Sequence, residues 1–178
     1  MEKIEFTPIG VIHSPFTDLA QMPIQPRCNE RVKSPVLEGR QPRSKASASG
    51  TVEIFTEYAE GLRDLDGFSH IILLYHLHKA GMPRLQVTPF LDSQPHGVFA
   101  TRAPVRPNPI GLSVVQLTGI QGNLLTVEGL DILDGTPLLD IKPYIPSFDE
   151  RSEHRIGWLQ GVDGNASTTL SDDRFIAP

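Results

Sequence analysis

Cysteine is all but missing from this chain: Cys28 is the only one in 178 residues, which excludes an internal disulfide framework. No apolar run approaches the roughly 20 residues needed to span a bilayer. The N-terminal Met-Glu-Lys-Ile-Glu has neither the basic start nor the apolar core of a signal peptide, so a cytoplasmic protein is expected. The Gly-rich nucleotide fingerprints are absent too. Neither G-x-G-x-x-G nor G-x-x-x-x-G-K-[ST] occurs, so any nucleotide-like cofactor is held without a Rossmann turn or a P-loop. There is no Ser-centred nucleophile elbow. A net charge of -5 speaks against a globally basic nucleic-acid binder.

What the chain does have is turn chemistry. Its 16 prolines and 15 glycines leave little room for long helices, and the length suits one mostly β domain. Charge is uneven. Arg27, Arg31, Lys33, Arg40, Arg43 and Lys45 stand against only Glu30 and Glu38, whereas the C-terminal thirty or so residues are acidic. A basic arm and an acidic tail are the expectation.

The most informative stretch runs from Phe99 to Ser113. Pro104, Pro107 and Pro109 remove backbone donors and fix φ, which excludes a helix interior or a central strand and leaves a rigid, extended loop. Arg102, Arg106, Asn108 and Gly111 lie on that loop, between strand-like runs at Gly97–Ala100 and Leu112–Leu117. Guanidinium forks and bare amides on a preordered loop suit an anionic ligand, and favour a binding site over a merely stiffened connection.

Elsewhere, Phe6–Ile12 reads as a first strand, and the basic stretch to about Ser49 as a long mobile loop. Gly50–Phe55 reads as a strand, Glu57–Leu62 as a short helical piece, and Phe68–His78 as a strand apolar on both faces. Leu112–Ile120 and Leu124–Gly129 flank the turn Gln121-Gly122-Asn123 as a hairpin, and Asp134-Gly135-Thr136 leads into Leu138–Lys142. Ser147-Phe148-Asp149-Glu150 fits a capping box for a helix to about Gln160, followed by a frayed tail. These elements imply a mainly β, small antiparallel barrel-like domain over residues 1–146, with the helix and tail over 147–178.

His70, His76 and His78 share strand parity, but no adjacent cysteine or carboxylate completes a ligand set, so no metal site is expected. Asp134, before Gly135, is a turn residue. Asp131 and Asp140 sit among apolar residues, where an unpaired carboxylate is costly. Each therefore needs a partner such as Arg102, Lys142 or a ligand hydroxyl.

These residues resemble the TsaA-like (TrmO) family of S-adenosylmethionine-dependent tRNA methyltransferases. The resemblance is carried by Pro8–Phe16, Pro23–Pro26, Gly61–His70, the Ala100–Ser113 loop and Leu130–Tyr144, and covers nearly everything from Pro8 to Pro146. It implies a non-Rossmann β-barrel methyltransferase and a homodimer. It also implies methyl transfer from S-adenosylmethionine to N6 of threonylcarbamoyladenosine next to the anticodon of tRNA.

By the same resemblance, cofactor contacts fall on Pro26, Arg27, Cys28, His78, Lys79, Arg102, Leu112, Glu128, Gly129, Leu130 and Asp131. Arg106, Asn108, Lys142, Arg31 and Lys33 are the candidate RNA contacts, and Asp140, His78 and Tyr144 the candidate proton acceptors. Some members of the family carry an additional C-terminal domain. Without it the basic arm, with Arg106 and Arg84, has to hold the tRNA. A methyltransferase of a small nucleoside-like substrate and a non-catalytic S-adenosylmethionine- or RNA-binding module are the alternative readings.

Overall fold

The computed structural model describes residues 3–19, 22, 48–161 and 169–175. The chain forms strands β1 (Gly10–His13), β2 (Ser49–Ile54), β3 (His70–His76), β4 (Gln86–Val87), β5 (His96–Gly97), β6 (Ile110–Gln121), β7 (Leu124–Glu128) and β8 (Thr136–Pro143). Six of them close an antiparallel barrel in the order β1-β2-β7-β6-β3-β8, sealed because β1 pairs with both β2 and β8. Closure removes the sheet edges that short strands would otherwise expose. The short pair β4-β5 lies outside the barrel.

Alternation along each strand fills the interior. Ile12, Val52, Ile54, Ile71, Leu73, Val115, Leu125, Val127 and Leu138 form the core, with Leu130 and Ile132 added from the segment after β7. A Cβ at Gly10 would run into the Glu53 carbonyl, so the β1-β2 approach requires glycine there. Gly122, at φ +62°, makes the two-residue turn between β6 and β7, and the Asn123 amide ties it to Ile54 O at 2.7 Å.

Several expectations are corrected. β3 is not buried on both faces: Ile71, Leu73 and Tyr75 point inward, while Ile72 and Leu74 lie half-buried on the outer wall of the barrel. The first strand starts at Gly10 rather than Phe6, and Phe6 is exposed. Val98–Ala100 is a 3-10 turn, not a strand.

The helix expected over 147–160 shrinks to α1 (Pro146–Asp149), and Gly157–Leu159 forms a separate 3-10 turn. The cap is not made by Ser147. Asp149 Oδ2 accepts from the Ile145 amide at 2.7 Å, and Glu150 is already extended. Arg151 to Arg155 present no apolar stripe to bury, so nothing sustains a longer helix, and Gly157 at φ +57° breaks the chain direction.

Part of the expected frayed tail is packed. Phe175 joins Val87, Val98, Ala103 and Val105 in a second apolar cluster, its ring edge-on to Phe90 at 5.1 Å. Ser171 donates its amide to Met22 O at 2.8 Å and its hydroxyl to Leu19 O at 2.6 Å, and accepts from the Met22 amide at 2.9 Å.

Candidate functional site

One end of the barrel is formed by the end of β3, the starts of β6 and β8, and the segment after β7. A cavity of about 940 Å³ opens there. This lies within the usual range for a cofactor site. The proline-rich segment walls one side. Thr101 Oγ1 donates to Val98 O and accepts from the Ala103 amide, Ala103 and Val105 are buried, and Pro109 O accepts from the Leu77 amide. These bonds tie the loop to itself and to the end of β3. The residues after β4 and β5 and the strap 170–175 supply Phe90, Asp172 and Phe175, and Trp158 lines the cavity from the 3-10 turn. Trp158 is held by its indole N–H on Ala100 O at 2.7 Å and by stacking on His96 at 4.7 Å.

His78, Lys79, Arg102, Leu112 and Asp131 all line this cavity. Burial first, then the Lys79 ammonium, holds the His78 imidazole below its ordinary range, so it is neutral near pH 7. Asp131 has the partner it needed: the Ser113 hydroxyl donates to its Oδ1 at 2.7 Å. Burial pushes its carboxyl up to about 6, against the opposing pull of the Ser113 hydrogen bond and the Arg102 charge. Leu112 faces outward from β6 and is 51% exposed.

Other expected contacts lie elsewhere. Glu128, Gly129 and Leu130 do not line the cavity. Gly129, at φ +91°, turns the chain, Leu130 packs in the core, and both amides donate to Ala48 O. Arg106 lines the cavity, but its Nη1 serves the loop itself, donating to the carbonyls of Val98, Thr101 and Ala103. Asn108 is exposed away from it.

Of the candidate proton acceptors only His78 reaches the cavity. Asp140 lines a second cavity of about 580 Å³ with Ile9, Ile54 and Pro143, toward the opposite end of the barrel, and pairs with Lys142 at 2.7 Å. Tyr144 is also at that end, its amide on His70 O and its hydroxyl on Glu150 at 3.2 Å. His70 and His76 share the outer face of β3 while His78 follows the strand, and among the described residues no three His, Cys, Asp or Glu side chains converge as metal ligands. Pro26, Arg27, Cys28, Arg31 and Lys33 fall outside the described residues. Sequence reasoning missed Tyr75, Trp158 and the strap. Ser113 had a signal: it is the polar member of the inward series Gly111, Ser113, Val115, Leu117.

A closed antiparallel barrel with a ligand-sized cavity at one end, walled by loops and poled by an arginine and a carboxylate, defines a β-barrel binding protein of non-Rossmann type. Comparison with known proteins makes the assignment particular: residues 37–150 match the tRNA-methyltransferase O N-terminal domain, and the chain belongs to that family. It is 48% identical over 172 residues to a probable S-adenosyl-L-methionine-binding protein of Pyrococcus abyssi, covering 97% of this chain and 85% of that one. It is 33% identical to the tRNA (adenine(37)-N6)-methyltransferase of Mus musculus, across 90% of this chain but 37% of the mouse protein. A crystal structure of TrmO from Pseudomonas aeruginosa superposes with a TM-score of 0.67 at 36% identity, covering 90% of this chain and 63% of that one. This chain therefore spans under two thirds of the TrmO structure it resembles. Among the described residues no helix is long and apolar enough to cross a membrane.

Proposed function

We propose that the chain is an S-adenosylmethionine-dependent methyltransferase acting in the cytoplasm on N6 of threonylcarbamoyladenosine beside the anticodon of tRNA. The observation that carries this reading is the convergence of His78, Lys79, Arg102, Leu112 and Asp131 on one cavity at one barrel end. When bound, S-adenosylmethionine supplies a sulfonium methyl group, already reactive toward nitrogen.

The protein's residues then have mainly to bind, orient and exclude water. The donor set fits such a ligand. Arg102 presents a fork for a carboxylate, Leu112 and Ile132 offer apolar surface for a base, and neutral His78 can hydrogen-bond without repelling a cation. The basic residues between Arg27 and Lys45 supply phosphate contacts. A homodimer is supported by apolar side chains on the outer wall, Val114 of β6 beside Ile72 and Leu74 of β3.

Calorimetric titration of the protein and of Arg102→Ala with S-adenosylmethionine tests the cofactor assignment. Micromolar affinity that falls at least about tenfold in Arg102→Ala is expected, the loss of roughly one charge-assisted hydrogen bond or more. An unchanged affinity in the variant moves the cofactor away from the proline-rich loop.

A further inference from the structure

The barrel interior is apolar except at one place. Among the described residues the buried polar side chains are Ser113 and Thr136, and Thr136 is accounted for by a turn bond to Leu133 O at 2.7 Å. Ser113 belongs to a chain. Its hydroxyl proton is committed to Asp131 Oδ1 at 2.7 Å, so at the 3.0 Å contact with Tyr75 it is the phenol that donates and Ser113 Oγ that accepts.

Three inward positions are shaped around this chain. Gly111 faces Tyr75 across the β3-β6 pair, and a Cβ there would overlap the phenol ring. Ser113 stands where its inward neighbours Val115 and Leu117 are aliphatic. An apolar side chain at 113 would serve packing as well or better. The chain leads from the core to Asp131 at the cavity wall, with Oδ1 tied and Oδ2 the second oxygen of a cavity-lining carboxylate.

We propose that Asp131 is the group that takes the proton from N6 during methyl transfer, and that Tyr75 and Ser113 are positioning residues that aim it. This rests on the methyltransferase reading above. In the step, the N6 lone pair forms the new N–C bond, the C–S bond breaks with its electron pair left on sulfur as a neutral thioether, and the N6 proton passes to Asp131 Oδ2. Ser113 from β6, Arg102 from the proline-rich loop and Tyr75 from β3 act on Asp131 directly, and the other charged or titratable groups lining the same cavity are Arg106, His78 and Lys79 beyond β3, and Asp172 from the strap. Burial makes this carboxylate a stronger base than a solvated one, while Ser113 and Arg102 keep it ionised at neutral pH. Asp140 and Tyr144 are at the wrong end, and His78 is a weaker base than an ordinary imidazole.

The test combines single-turnover methyl transfer to tRNA bearing threonylcarbamoyladenosine, followed across pH, with S-adenosylmethionine affinity and melting temperature for each variant. With S-adenosylmethionine held at saturation for each variant, Asp131→Asn should lose at least about 100-fold in transfer, the scale of general base catalysis. The acidic limb of the wild-type rate should have its midpoint near 6. Ser113→Ala removes a hydrogen bond to the ionised form and should move that limb upward, Ser113→Thr should restore it, and Tyr75→Phe should move it less. An Asp131→Asn protein that transfers within about tenfold of wild type overturns the proposal. So does one whose transfer is restored by saturating S-adenosylmethionine, or a Ser113→Ala protein whose rate falls uniformly with the limb unmoved. Wild type that binds the cofactor and methylates no such tRNA overturns the functional reading, and the proposal with it.

Discussion

Gly111 shows how one missing Cβ shapes the site. The Tyr75 ring occupies the volume that any side chain at 111 would need, so Gly111→Ala must push the ring toward the cavity or spread β3 from β6. We expect a loss of about 1–3 kcal/mol in denaturant unfolding, the range for overpacking a core, with Tyr75 no longer in reach of Ser113. Asp131 gives a second residue-scale prediction, with a defined sign. Its folded pKa is raised, so the folded state favours the protonated acid; this contribution is fully present below the ordinary carboxylate pKa and is lost as pH rises through about 6. Asp131→Asn should therefore melt higher than wild type at pH values well above 6, with the difference vanishing in acid, as thermal melts across pH will read. Equal differences at both ends would contradict the buried carboxylate. The need for a partner at Asp131 is legible in the sequence, because a carboxylate among Leu130, Ile132 and Leu133 cannot stand alone. The identity of the partner is not, because it depends on which strand closes against which.

At the scale of elements, the strap 170–175 walls the cavity. Phe175 is its anchor in the second apolar cluster, and Arg174 lies over the Phe90 ring at 4.8 Å. Phe175→Ala should free the strap and weaken cofactor binding, while the barrel, whose core is separate, keeps its unfolding midpoint. Hydrogen exchange would then rise at Gly81, whose amide bonds Phe175 O, and not in β3 or β6. A matching rise in the barrel strands would show the two clusters to be one cooperative unit. The strands of the barrel were readable because inward and outward residues alternate, and the hairpin because Gly122-Asn123 permits only a tight turn. The C-terminal region was misread for the converse reason. Ser147 to Glu150 spells a helix start that no apolar face sustains, and Phe175 is a lone aromatic whose partners come from 87–105. Five of the expected cofactor contacts line the cavity, but the walls that Trp158 and the strap contribute come from distant sequence.

For the whole molecule, the proposed tRNA substrate has to be reconciled with an overall charge of -5, so on that reading affinity for tRNA comes from a local patch and fades steeply with salt. Replacing both Arg31 and Lys33 by Gln should lower the slope of log affinity against log salt by about 1.5 while leaving S-adenosylmethionine affinity unchanged. A small-molecule methyltransferase would show no such slope and no effect of the pair. Light scattering checks the dimer: wild type should weigh twice the 19.6 kDa chain, and Ile72→Glu with Val114→Glu, opposed on the outer wall, should return it to one. The most direct test of the central claim follows labelled methyl from S-adenosylmethionine into tRNA with and without the threonylcarbamoyl group on the adenosine beside the anticodon. The account predicts label on N6 of that adenosine in the threonylcarbamoylated tRNA alone; bound cofactor with no label transferred to either tRNA would contradict it.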